Sequence, residues 1–166
     1  MRGFTNAALL CLVAAASCGN PLAPLPMAEP PRELTYDVNT GFARPVRVRL
    51  AGDTVVFVAS GHGPQGAFTT ETRRVPSPAE WQTFWAAVRD AGVRRWPSRC
   101  GDRPELDGGG FDFSIAWAGA RRSGSYFNAY PTRAGRCSGD HMDAGRFQRA
   151  VLSVAGVPAL VALRAR

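Results

Sequence analysis

The chain has 166 residues, of which 45% are hydrophobic, and this excludes a disordered composition and suits one folded domain with a short extension. Its net charge of +7 would ordinarily favour nucleic-acid binding, but all 20 basic residues are arginine and they are scattered along the sequence. We therefore interpret the charge as a solvated basic surface without a specific nucleic-acid partner.

The first 17 residues have the organisation of a signal peptide. Arg2 gives a positive start, and the apolar run of roughly ten residues that follows is too short to span a bilayer. The run ends in Ala15-Ala16-Ser17-Cys18-Gly19, which resembles a bacterial lipobox with Ala15 where leucine is usual. The sequence therefore predicts an exported lipoprotein, anchored in the membrane through Cys18 and facing the periplasm or the cell exterior. Ordinary signal-peptide cleavage without lipidation is the alternative.

A proline-rich segment follows, from residue 18 to residue 32. Its prolines remove backbone donors and fix φ, which is typical of an extended tether. About fourteen such residues would reach roughly 40 Å. The sequence therefore predicts a spacer that holds a single domain, residues 33–166, away from a membrane.

The first half of the domain predicts strands over Leu34–Val38, Val46–Leu50, Thr54–Val58 and Phe68–Val75. In the second of these, apolar residues alternate with arginines, the period-2 pattern of a strand with one wet face. A tight turn at Gly52-Asp53 predicts a hairpin with the third strand, and the glycines and proline between Ser60 and Gly66 predict a loop.

Two helices are predicted. Ser77-Pro78-Ala79-Glu80 combines an N-cap serine, a proline at the first helical position and a capping-box glutamate. An apolar stripe follows at helical spacing, and Gly92 predicts the end of this helix. The second helix is predicted from about Asp140, as its cap, to Ala155.

Between the helices the chain is predicted to be irregular from Val93 to Gly110. A strand over Phe111–Trp117 then returns as Arg122–Phe127. Runs of strands interrupted by two helices indicate an α+β fold, with an antiparallel sheet of about five to six strands packed against the helices.

Cys100 and Cys137 flank the aromatic hairpin. In an exported protein two remaining cysteines are expected to pair, so the sequence predicts one disulfide. Gly135–Gly139 imitates a nucleophile elbow with cysteine at its centre, and His141 lies four residues beyond Cys137. A hydrolase that uses Cys137 and His141 is therefore an alternative, and it requires a free thiol.

No other motif predicts catalysis, a cofactor or a metal. Gly61–Gly66 matches G-x-G-x-x-G, but a strand follows it rather than the helix that binds a dinucleotide phosphate. Only two histidines are present, too few for a zinc site once the cysteines pair. The acidic residues near the glycine run do not have EF-hand spacing: Asp102, Glu105, Asp107, Asp112.

Four segments in order resemble those of a group of small bacterial exported proteins of unknown function: Trp81–Trp85, Trp96–Cys100, Asp107–Phe111 as D-G-x-x-[WF], and Asn128–Pro131 as N-A-Y-P. The resemblance implies an α+β domain and no particular activity. Thr40-Gly41-Phe42-Ala43 is similar to a segment of small bacterial metalloprotease inhibitors, with Arg44 where those inhibitors have glycine.

These observations predict a non-enzymatic cell-envelope lipoprotein domain with a binding or structural role and an envelope protein or ligand as its partner. Its contact surface is predicted near the end of the returning strand, at Tyr126, Asn128, Tyr130, Arg121 and Arg122. The structural alternative for each residue is that the aromatic rings belong to the core and that Asn128 bonds the turn. Inhibition of a secreted protease, through Gly61–Gly66 or Gly41–Arg44, is the alternative function.

Overall fold

The computed structural model describes residues 24–40, 45–63, 66–101 and 109–157. Within them a seven-stranded sheet has the spatial order β4-β3-β2-β1-β6-β7-β5, and a separate pair is formed by β8 and β9. The strands are β1 (Glu33–Thr40), β2 (Val46–Ala51), β3 (Thr54–Gly63), β4 (Gly66–Arg74), β5 (Arg99–Cys100), β6 (Gly109–Trp117), β7 (Ala120–Phe127), β8 (Tyr130–Pro131) and β9 (Cys137–Ser138).

The predicted α+β class with an antiparallel sheet and two helices is confirmed, with seven strands in the main sheet rather than five to six. All neighbours in this sheet are antiparallel except β5, which pairs with β7 in parallel. The additional strand, β5, lies in a region that the sequence predicted to be irregular. Its two residues carry no periodic pattern, and only the pairing with β7 makes them a strand.

The third strand is longer than predicted. β3 continues through Ser60 to Gly63 and pairs with β4 as far as Gly63 opposite Gly66. The sequence predicted a loop from Ser60 because glycine and proline disfavour strands. Here the threonine-rich β4 supplies a partner for this backbone, so tertiary pairing outweighs the local propensity.

Helix α1 (Pro78–Ala91) has the predicted ends. The Ser77 hydroxyl accepts from the backbone N–H of Glu80, whose carboxylate accepts from the backbone N–H of Ser77, and Gly92 ends the helix at φ 73°. Helix α2 (Met142–Val154) begins one residue later than predicted, with His141 as N-cap. Asp140 still serves the first turn, because its carboxylate accepts from the Met142 N–H at 2.9 Å.

Both helices cover the same face of the sheet, and the core between them is strongly aromatic. Trp96, in the connection after α1, lies at its centre with ring contacts to four neighbours, and its indole N–H donates to the Ala91 carbonyl at 2.9 Å. These neighbours are Phe111, Phe113, Tyr126 and Phe147. The other face of the sheet, which we call the open face, carries no helix among the described residues.

The described part of the predicted tether, residues 24–32, lies against the domain. Leu25 packs on the core, the Trp85 indole donates to the Glu29 carbonyl at 2.7 Å, and the Arg32 N–H donates to the Ala116 carbonyl at 2.7 Å. The prediction of a free spacer up to residue 32 therefore needs correction over this half. Residues 18–23, with the predicted lipidation site Cys18, lie outside the described residues, as does the predicted signal peptide.

In the part of the chain that the structure describes, neither helix is long and apolar enough to cross a membrane.

Candidate binding surfaces

The predicted disulfide between Cys100 and Cys137 is confirmed, with the two Cα atoms 5.6 Å apart. Because Cys100 lies in β5 and Cys137 in β9, the bond joins the edge of the main sheet to the small sheet. A disulfide sulfur cannot act as a thiolate nucleophile. The alternative of a hydrolase that uses Cys137 and His141 is therefore wrong for this oxidised state.

Tyr126 belongs to the core rather than to a contact surface. Its side chain is buried, and its hydroxyl donates to the Pro97 carbonyl at 2.6 Å. Burial raises the pKa of this phenol. Gly124 makes this position available, because a Cβ added there would lie 2.2 Å from the Tyr126 hydroxyl oxygen.

Asn128 and Tyr130 fasten the turn to the end of β6. Asn128 has the left-handed φ of 53°, its backbone N–H donates to the Gly109 carbonyl at 3.0 Å, and its side-chain oxygen accepts from the Gly109 N–H at 3.1 Å. The half-buried Tyr130 stacks on Phe111 with ring centroids 6.5 Å apart. The N-A-Y-P segment therefore closes a turn, as the structural alternative holds.

Arg121 and Arg122 lie on opposite faces of β7. Arg121 is on the open face and donates to both carboxylate oxygens of Glu33, an interaction that lowers the pKa of Glu33. Arg122 lies on the helix side, where its guanidinium donates to the Arg94 carbonyl at 2.6 and 2.9 Å. Because Tyr126 is buried and these arginines point apart, the five predicted contact residues do not form one surface.

The open face instead has two ordered rows of side chains. In the first row Asp37 lies opposite Asp112 on one side and opposite Arg47 on the other. Arg47 donates to the Asp37 carboxylate, and this bond raises the pKa of Arg47. From β7 to β4 the row reads Ser125, Asp112, Asp37, Arg47, Val58, Glu71.

The second row is the more basic. From β7 to β4 it reads Ser123, Ser114, Thr35, Arg49, Val56, Arg73. Val56 is fully buried although it lies on the open face, and its cross-strand partners are Arg49 and Arg73. Arginine stems can cover such a residue while their charged ends stay in water. Among the described residues Arg49 forms no ion pair.

The middle four residues of the first row, from Asp112 to Val58, border a depression of about 650 Å³ on the open face, together with Arg49. Its polar lining consists of Asp37, Arg47, Arg49, Ser60 and Asp112. The depression thus offers the Asp112 carboxylate and the Arg49 guanidinium together, with Asp37 on the strand between them and its partner Arg47 on the same strand as Arg49. This arrangement suits a polar ligand or a protein surface that carries both signs of charge.

Sequence reasoning placed Arg47 and Arg49 on a wet face but did not identify this surface. The alternation in β2 indicated that the two arginines share one face of their strand. The alternation in β6 separately placed Asp112 opposite the apolar face of that strand. Joining them requires the spatial order β2-β1-β6, which places a third strand between two segments that are about sixty residues apart in the chain.

Of the two loops predicted for protease inhibition, the structure describes part of one and none of the other. Gly41–Arg44 lies outside the described residues. Most of Gly61–Gly66 continues the β3–β4 hairpin, because β3 extends to Gly63 and β4 begins at Gly66.

The described residues contain no group of three or more histidine, cysteine, aspartate or glutamate side chains that could hold a metal ion. No family model matches the chain, and no curated protein is significantly similar to it. The resemblance to N-A-Y-P proteins therefore stays a prediction. The fold and its surfaces define the described residues as a disulfide-linked α+β domain with one helix-covered and one open sheet face.

Proposed function

We propose that the protein is a non-enzymatic binding module of the cell envelope, anchored to the membrane through Cys18, and that it contacts its partner with the open face of the sheet. The observation that carries this proposal is the charged depression bordered by Arg47, Arg49 and Asp112. A concave polar region on a rigid sheet suits recognition, because its side chains are held before a partner arrives.

The ion pairs of the open face support this role. Arg47 is held by Asp37 and Arg121 by Glu33, and all four residues lie in strands of the sheet rather than in loops. Exposed pairs of this kind add little to stability. They do restrict the positions of the guanidinium groups, so less side-chain entropy is lost when a partner binds.

The compartment is supported by the disulfide, which persists in oxidising surroundings outside the cytosol. The distance from the membrane follows from chain length. Cys18 and Pro24 are six residues apart in the sequence, and six extended residues span at most roughly 20 Å. The anchored domain would therefore stay close to the bilayer surface, within reach of membrane-bound partners.

The binding surface is tested by site-specific photocrosslinking of the full chain in a bacterial host. The chain contains no lysine, so amine-directed reagents are unsuitable, and a photoreactive amino acid is placed at Ser60 in the lining of the depression. The matched position is Arg149, which is exposed on α2. We expect envelope partners to be captured from Ser60 and not from Arg149. Equal capture from both positions, or none from Ser60, contradicts the proposed surface.

A charge reversal then tests the chemistry. Arg49→Glu should reduce capture from position 60 by about tenfold, equivalent to about 1.4 kcal/mol. Arg149→Glu changes the net charge by the same amount on the helix side and should leave capture unchanged. Because Arg49 forms no ion pair among the described residues, loss of capture without a change in melting temperature reports binding rather than unfolding.

The anchor is tested separately through Cys18→Ser. With radiolabelled palmitate, the unaltered chain should carry the label and fractionate with membranes, whereas the variant should do neither. If both proteins are unlabelled, the anchor is wrong and the binding surface remains open to its own test.

A further inference from the structure

Strand β4 forms a long edge of the main sheet. It spans nine residues, Gly66–Arg74, and pairs with β3 in one unbroken register from Val55–Arg74 to Gly63–Gly66. No described strand pairs with its other side. Alternate residues of such a strand direct their N–H and C=O groups outward, where another strand can accept them.

Three devices that commonly protect a sheet edge are missing from β4. The strand contains no proline, its register shows no bulge, and its length exceeds that of a short edge strand. Its surface is hydrophilic, with three threonines and two charged residues exposed. Such an edge favours specific pairing over hydrophobic aggregation, because its hydrophilic side chains remain solvated when no second strand is paired with it.

We propose that β4 pairs with β4 of a second copy of the chain, antiparallel and about a two-fold axis through Thr72. The two sheets would then continue into one another. Two-fold symmetry requires that, where residue i faces residue j of the other copy, residue j also faces residue i. Only the residue on the axis faces itself, so that residue defines the register. This pairing does not depend on the envelope partner of the open face.

Charge complementarity selects Thr72 as the central residue. Within one copy Arg73 already donates to Glu71 at 2.5 Å, on the exposed side of the strand. With Thr72 opposite itself, Glu71 also lies opposite Arg73 of the other copy, and the symmetric pair extends this into a network of four alternating charges. A shift that centres the pairing on Glu71 places two glutamates opposite each other, and a shift to Arg73 places two arginines opposite each other. Directly opposed like charges destabilise a strand pair, whereas opposite charges stabilise it.

The neighbouring side chains are compatible with this register. Val75, which follows the strand and is 59% exposed, would lie opposite Thr69 of the second copy and lose contact with water. Arg74 is held on the helix side by a two-pronged bond to Glu80, with N–O distances of 2.6 and 2.8 Å. Its guanidinium is therefore already bound within the same copy.

Charge reversal tests the pairing and its register together. In sedimentation of the purified full chain over a concentration series, we expect a monomer–dimer equilibrium. Glu71→Arg or Arg73→Glu alone creates two like-charge contacts and should weaken the dimer by about tenfold or more. The double variant Glu71→Arg/Arg73→Glu restores both pairs and should recover dimerisation.

A cysteine on the axis gives an independent measurement. Thr72→Cys places two thiols opposite each other, at a Cα separation of about 4.5–5.5 Å that allows a disulfide. Thr70→Cys is the matched control, because in this register its two copies are four residues apart along the strand, about 13 Å. We expect covalent dimers from Thr72→Cys only. A monomer at every concentration, no recovery in the double variant, or equal crosslinking of the two cysteines overturns the proposal.

Discussion

At one edge of the main sheet, β5 contributes only two residues and is tied by the Cys100–Cys137 disulfide to the small sheet beyond it. At the other edge, β4 extends for nine residues with an exposed, threonine-rich surface. The β5 edge contacts the aromatic core through Tyr126, which lies beside Cys100 of β5. The difference teaches that the two edges of one sheet are finished in different ways, with a covalent link and aromatic packing near β5 and a hydrophilic edge strand at β4.

The largest effect on stability is expected from removing the disulfide at the β5 edge. Replacing Cys100 and Cys137 together by alanine removes a cross-link with a sequence separation of 37 and should lower the free energy of unfolding by about 4 kcal/mol. Urea unfolding measures the loss. Thiol labelling of the unaltered native domain should find no reactive sulfur at either position. A loss under about 1 kcal/mol would show that the stability of the domain does not depend on this disulfide.

A smaller loss is expected from Gly124→Ala. The added methyl would occupy the space of the Tyr126 ring, whose hydroxyl oxygen lies 2.2 Å from the new Cβ position. Overpacking of this kind costs about 1–3 kcal/mol. Gly139→Ala is the control, because a Cβ there meets nothing within 4 Å. Equal unfolding midpoints for the two variants would mean that Tyr126 can move aside.

Removing the hydroxyl group should have different effects on stability at two buried tyrosines. Tyr126→Phe leaves the Pro97 carbonyl without its donor and should cost about 1 kcal/mol. Tyr36→Phe should be close to neutral, because the Tyr36 hydroxyl has no hydrogen-bond partner among the described residues. Thermal unfolding of both variants checks the difference, and a larger loss in Tyr36→Phe would contradict it.

The same two phenols predict a loss of stability in alkali. Burial raises the pKa of Tyr36 and of Tyr126 above the ordinary value of 10.0. Below pH 10 both phenols are protonated in the folded and the unfolded chain, so their contribution is fully present. Above pH 10 the unfolded chain releases protons more readily, and the free energy of unfolding should fall as pH rises. Unfolding at pH 8 and pH 11 measures this, and the double phenylalanine variant should show a weaker fall.

The smallest effect on the free energy of unfolding is expected from substitutions in the edge strand β4. Thr70→Ser and Thr72→Ser on β4 lie at exposed positions and should change the free energy of unfolding by no more than about 0.5 kcal/mol. Urea unfolding at low protein concentration, where the chain is monomeric, checks this. A loss as large as that of Gly124→Ala would show that β4 carries stability as well.

Much of this fold follows from local sequence signals. The capping box at Ser77, the alternation around Arg47 and the pairing of Cys100 with Cys137 each depend on neighbouring residues or on compartment, and all three are confirmed. The extent of β3 and the existence of β5 depend on partners distant in the chain. No local pattern contains that information, so these elements were predicted incorrectly.

The predicted contact surface shows the limit in more detail. Period-2 alternation in β7 already separates Arg121 from Arg122 and Tyr126, because odd and even positions face opposite sides. Which side is the core depends on where the helices pack. The role of residues 24–32 was missed for a related reason: prolines predict an extended chain but do not tell whether it lies on a surface, as Leu25 does.

Hydrogen exchange at two protein concentrations tests the separation of the two edges most directly. The account predicts that the amides of β5, and those of β7 that pair with β6 or β5, are strongly protected and independent of concentration. It predicts that the outward amides of β4 exchange rapidly in dilute protein and become protected when the concentration is raised. Equal protection of β4 and β7 in dilute protein, or a β4 protection that does not change with concentration, would contradict the account.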